Sequence, residues 1–100
     1  MLIYNTTYFV AERQYSLWAK WIHEEHIPFM LKCGFEKPQV AKVLSPNSEQ
    51  EGTSVTVQFH IGDMQQLNLW NEQHAENILS DMVKRFGVDV LAFSTILELL

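Results

Sequence analysis

The apolar residues of this chain switch between a two-residue and a three-to-four-residue period in a fixed order, and that order limits the fold more than any other feature. Thr53 to Ile61 is the clearest strand: Val55, Val57, Phe59 and Ile61 alternate with Ser54, Thr56, Gln58 and His60, giving one core face and one polar face. Leu2 to Val10 is almost wholly β-branched or aromatic, with polar atoms on both faces, and reads as a first strand. Val40 to Leu44 and Val90 to Leu99 supply two more. Between the second and third strands, the polar run from Ser45 to Gly52 has the composition of a hairpin connection.

Two amphipathic helices fill the intervals. From about Ala11, Tyr15, Trp18, Ile22, His26 and Phe29 recur at helical steps, and Trp21 and Met30 widen the stripe. Pro28 removes a backbone donor and frees the carbonyl of Glu24, so a kink or local break is expected there. Gly34 is the stop, placed so that Phe35 folds back onto Met30. Asp63 and Gln66 form a capping box ahead of Leu67, Trp70, His74, Ile78, Met82 and Phe86. Gly87 ends that stripe, with Lys84 and Arg85 in the last turn and Val88 set to meet Val83.

Strand, helix, strand, hairpin, strand, helix, strand describes one α+β domain over residues 1–100, the ferredoxin-like βαββαβ arrangement. Right-handed crossovers place both helices on one face of a four-stranded antiparallel sheet. The other face carries apolar residues and has no covering element, and a second copy of the chain is the economical cover. A homodimer follows as an expectation.

Charge narrows the partners. The chain carries a net charge of −5, and its seven Lys and Arg residues are scattered, so neither nucleic acid nor an acidic membrane surface is an expected partner. Cys33 is the single cysteine and forms no internal disulfide. With no leader sequence and no apolar run of membrane-spanning length, a cytoplasmic location is expected.

Four stretches carry a further resemblance: Tyr4-Asn5-Thr6-Thr7, Trp18-x-x-Trp21-x-x-x-x-His26-Ile27-Pro28, Gly34-Phe35, and Ala92-Phe93-Ser94-Thr95-Ile96-Leu97-Glu98. Together they resemble a family of uncharacterised small bacterial proteins, a domain of unknown function in the dimeric α/β-barrel group. The resemblance implies a ferredoxin-like protomer whose sheet pairs with its twin's to form a barrel, and it implies no activity. Cys33 and Ser94 depart from it, standing where it implies a threonine and an arginine.

The candidate pocket residues are Asn5, Trp18, Trp21, His26, His60, Trp70 and His74. His26 lies on the apolar stripe beside the carbonyl that Pro28 frees, so a neutral imidazole donating to that carbonyl is one reading and a proton shuttle at a helix–sheet pocket is another. His23-Glu24-Glu25-His26 lacks the four-residue histidine spacing of a zinc helix, and no metal site or cofactor is expected. Asn5, Trp70 and His74 supply the residue types that related barrels use around haem, at a different spacing. His60, in line with Thr56 and Gln58, suits either a small polar ligand or hydrogen bonds across a dimer interface. Cys33 at a helix end reads as packing, and no nucleophile elbow or phosphate loop is present.

Two functions are consistent with these residues. One is a homodimeric binding or interaction module without catalysis of its own. The other is a small-molecule enzyme or carrier, monooxygenase-like or haem-related, with its pocket between helices and sheet. Convergence of His26, Asn5 and His60 or His74 on one cavity marks the second; a filled interior and a closed apolar seam mark the first.

Overall fold

A computed structural model describes residues 1–44 and 51–100. Strands β1 (Leu2–Ala11), β2 (Glu36–Lys42), β3 (Gly52–Ile61) and β4 (Val90–Glu98) form one sheet in the order β2-β3-β1-β4, every neighbouring pair antiparallel. Helices α1 (residues 15–32) and α2 (residues 64–86) cover one face, the expected ferredoxin-like arrangement. Most of the hairpin expected between Ser45 and Gly52 lies outside the described residues.

The register sorts the strand residues into two faces. Tyr4 stands opposite Phe59 on one side and Ile96 on the other, Tyr8 opposite Val55 and Ala92, and Val10 opposite Thr53 and Val90. This is the helix-facing side. There Val55, Val57, Phe59 and Ile61 are buried with Trp18, Ile22, Met30, Leu67, Trp70 and Phe86 from the helices. Phe35 lies among them, its ring 5.2 Å from Trp70, 5.7 Å from Phe59 and 5.8 Å from Tyr4. Aromatic pairs in these tilted and edge-on arrangements add packing energy beyond their area.

Gly34 ends α1 as its position predicts. Its φ of 99° closes a Schellman motif in which Phe35 N donates to Met30 O and Gly34 N to Leu31 O, both at 3.1 Å, and Phe35 packs inward with Met30. A Cβ at Gly34 would also come within 2.8 Å of the Gln66 side chain. Gly34→Ala is therefore expected to cost about 1–2 kcal/mol, mostly as left-handed backbone strain. Urea unfolding of the variant measures it, and an unchanged midpoint would contradict the assignment. Asp63 caps α2, accepting from Gln66 N at 2.9 Å.

Two expectations need correction. β2 runs from Glu36 to Lys42 rather than from Val40 to Leu44; an irregularity between Glu36 and Gln39, which takes in Lys37 at φ 51° and the donorless Pro38, interrupts the alternation that would mark its start. Val88 does not fold back onto Val83: it is 87% exposed, and Val83 is exposed as well. After Gly87 the chain enters a short 3₁₀ turn, Gly87–Asp89, that leads directly into β4 instead of doubling over the helix.

Candidate functional site

Each helix contains one wide, π-type turn: Ile22–His26 in α1 and Asn71–Ala75 in α2. In the first, Ile27 N–H donates to Ile22 O, five residues back, immediately before Pro28. The break expected at Pro28 therefore takes the form of a widened turn, which absorbs the donorless position without a cap from His26.

The burial pattern explains why a wide turn suits this sequence. Trp18, Ile22, His26 and Met30 are all buried at strict steps of four. Four residues overshoot a full α-helical turn by about 40°, so without correction the stripe would wander off the sheet. One under-wound turn returns it. In α2 the steps from Trp70 through His74, Ile78 and Met82 to Phe86 are also four each, and the same device lies at their start.

The two wide turns flank an opening between the helices. A cleft of about 420 Å³ is lined by Trp21, Glu25, His26 and Phe29 from α1 and by His74, Asn77, Ile78 and Asp81 from α2. A second pocket of about 250 Å³ adjoins it on the sheet side, between α2 and the edge strand β4, reaching Tyr4, Tyr8, Trp70, Met82, Ala92 and Ser94. Trp21, His26 and Ile78 line both. At the β4 edge of this pocket Thr6 and the exposed Ser94 share a hydroxyl–hydroxyl hydrogen bond of 2.9 Å. Ser94, which stands where the family resemblance implies an arginine, leaves this edge uncharged.

His26 is the buried polar residue at the junction. It is 7% exposed, stacked on Trp21 at 5.1 Å with rings 25° apart, and edge-on to Phe59 at 6.2 Å. Burial lowers its pKa from the usual 6.5 to about 4, and no charged or hydrogen-bonding neighbour contributes. At neutral pH the cleft therefore holds an uncharged imidazole able to accept or donate one hydrogen bond. The outer mouth is charged: Arg85 grips Glu25 with two hydrogen bonds of 2.9 and 3.0 Å and Asp81 with one of 3.0 Å, tying α1 to α2.

The structure divides the predicted site residues into three groups. Trp21, His26, Trp70 and His74 surround the connected cavities. Trp18 is core, 1% exposed against Tyr8 and Tyr15. Asn5 and His60 lie on the opposite sheet face, since Asn5 is the neighbour of inward-facing Tyr4 and His60 pairs with Ile3. Asn5, Trp70 and His74 consequently do not surround a common cavity. Sequence reasoning did not identify Glu25, Phe29, Asn77, Ile78 and Asp81 as cleft residues. The available signal was the run of four-residue steps, which points to wide turns and to the residues beside them.

The outer sheet face is polar at its centre and apolar at its margins. Asn5 pairs with Gln58 and Thr95, Thr7 with Thr56, and Asn5 Nδ2 donates to Thr7 Oγ1 at 3.4 Å. Around them stand Ile3, Phe9, Leu91, Phe93 and Leu97, with Leu91 and Phe93 more than 60% exposed. On the other side of the sheet, half-buried Cys33 packs against the core beneath the helices, and burial raises its thiol pKa, with the Trp70 indole opposing the rise. No helix among the described residues is long and apolar enough to cross a membrane.

Comparison with known proteins places this geometry. A family model described as a domain of unknown function, DUF4286, matches residues 1–100. No curated protein matches the sequence. Among solved structures, the chain resembles a putative antibiotic biosynthesis monooxygenase from Deinococcus radiodurans, with a TM-score of 0.70 and 16% identity over 100% of this chain and 93% of that one. An ethyl tert-butyl ether degradation (EthD) family protein from Bacillus halodurans gives 0.69 and 16%, covering all of both chains. A dimeric ferredoxin-like protein from an uncultured marine organism gives 0.68 and 13%, over 100% and 95%. At these identities the likeness is one of fold.

Proposed function

The chain belongs to the DUF4286 family, and we propose that residues 1–100 work as one domain of a homodimeric binding protein that holds a small, largely apolar molecule between its helices and its sheet. The observation that carries this reading is His26, a buried and uncharged polar group set among aromatic rings where two connected cavities meet. A packing histidine would sit in a filled interior. Cavities of about 420 and 250 Å³ are within the range that small ligands occupy, and they have the usual composition of apolar walls with a few placed polar groups.

Dimerisation is supported by the outer face. Leu91, Phe93 and Leu97 form an exposed apolar margin on β4, and dimeric ferredoxin-like proteins share the fold. A cytoplasmic setting fits the single unpaired Cys33. The enzymatic alternative would use the same cleft, with His26 as the base, and has in its favour the monooxygenase named among the fold neighbours.

One experiment tests both parts. In ¹H–¹⁵N spectra, titration with indole is expected to shift the side-chain N–H signals of Trp21 and Trp70 and leave that of Trp18 in place. Relaxation of the same sample should give the tumbling time of a dimer. Unmoved Trp21 and Trp70 signals would overturn the ligand site, and monomer tumbling would overturn the dimer.

A further inference from the structure

The charges at the outer mouth of the cleft restrict which molecules can enter. Glu25 and Asp81 both line the opening, on opposite helices, and no Lys or Arg is among the lining residues. Arg85 lies outside the lining and holds the two carboxylates together, so the opening has two acidic groups and one shared counter-ion. Trp21 and Phe29 supply aromatic walls below them, and Phe29 is held edge-on by His74 at 5.2 Å. Carboxylates above aromatic faces favour an organic ammonium through Coulomb attraction and the ring quadrupole together, and they repel an anion.

A second observation is independent of the acids. His26 is more than nine-tenths buried in the same cleft, and no hydrogen-bonding or charged neighbour acts on its imidazole. It offers one neutral polar contact at depth in the cleft. The cleft thus has an acidic rim, apolar and aromatic walls, and one uncharged polar group, His26, buried among them.

We propose that this cleft selects amphiphilic amines, with the apolar or aromatic body inserted between the helices toward His26 and the ammonium group held at Glu25 and Asp81. The proposal rests on the binding function above and adds the ligand's charge class. Carboxylates and phosphates of the same shape are excluded by the same two side chains. Arg85 acts as the competitor that occupies the acids when the cleft is empty.

Three ligands with one ring system separate the ideas: indole, tryptamine and indole-3-acetate, titrated against the full chain at low salt and followed by the Trp21 and Trp70 side-chain signals. Tryptamine is expected to bind on the order of tenfold more tightly than indole-3-acetate, a preference that shrinks as salt rises. The double variant E25Q/D81N should abolish the preference, and R85Q, which frees both carboxylates, should widen it. All three side chains are substantially exposed, so these variants leave the core intact.

Indole binding with no preference for tryptamine, or a preference that survives E25Q/D81N, would overturn the amine assignment while leaving the cleft as a binding site. Failure of all three compounds to move either tryptophan signal would overturn both.

Discussion

Trp18→Ala is expected to destabilise the fold by about 3–5 kcal/mol, enough to remove much of the stability of a domain this size. Trp18 is 1% exposed, and its ring lies 5.1 Å from Tyr8 and 5.9 Å from Tyr15, joining the start of α1 to β1. Truncation removes both aromatic contacts and leaves a cavity that rigid strand residues cannot close. Trp18→Phe should behave differently. The indole Nε1 is buried without a hydrogen-bond partner, so this smaller ring also removes an unsatisfied donor. A relief of about 1–3 kcal/mol then offsets part of the lost volume. Urea denaturation at fixed protein concentration separates the two variants, and equal losses for Ala and Phe would contradict the packing argument.

The contrast between Trp18 and Trp21 shows where the sequence is legible. Both lie on one apolar stripe, and periodicity alone assigns each to the buried side of α1. It cannot distinguish a residue in a filled core from one beside an opening. That difference depends on the separation of α1 from α2, which follows from long-range packing such as Phe86 edge-on to Trp21, 65 positions apart in the chain. Local signals performed better. Gly34, Asp63 and Pro28 act through backbone geometry within a few residues, and their effects appear where the sequence puts them.

The candidate site was legible in part for the same reason. His26, Trp70 and His74 lie on the four-step stripes of the two helices, and Trp21 widens the α1 stripe beside His26, so that all four border the two pockets. Asn5 and His60 were grouped with them on residue type, yet strand alternation sends them to the other face. Asn5 opposite Gln58 and His60 opposite Ile3 both fall on the outer sheet surface, Asn5 at its polar centre and His60 toward its margin. A strand with polar atoms on both sides carries no internal sign of which side is the core. In β1 the decision is made by its pairing with β3, whose alternation is unambiguous.

His26 gives the other large effect, and it appears in acid. In the folded protein its imidazole holds a proton only below about pH 4, against 6.5 for an ordinary histidine, because burial penalises the charged form. The unfolded chain therefore binds more protons between those values, and stability rises with pH across the window. The contribution is complete above about pH 6.5 and is lost as the pH falls toward 4, at about 1.4 kcal/mol per unit and about 3 kcal/mol in all. His26→Met keeps a flexible apolar group against Trp21 and cannot titrate. Because the wide turn at Ile22–His26 already accommodates Pro28, this variant should lose little at pH 7.5. Its urea midpoint should then fall far less than that of the wild-type protein between pH 7.5 and 4.5. Carboxylates such as Asp89, whose pKa is lowered first by its hydrogen bond from Arg13, titrate equally in both proteins, so the difference between the two curves isolates His26. Parallel curves would mean that the imidazole accepts a proton in the folded state without penalty, and the cleft would then present a cation at mildly acidic pH instead of a neutral hydrogen-bonding group.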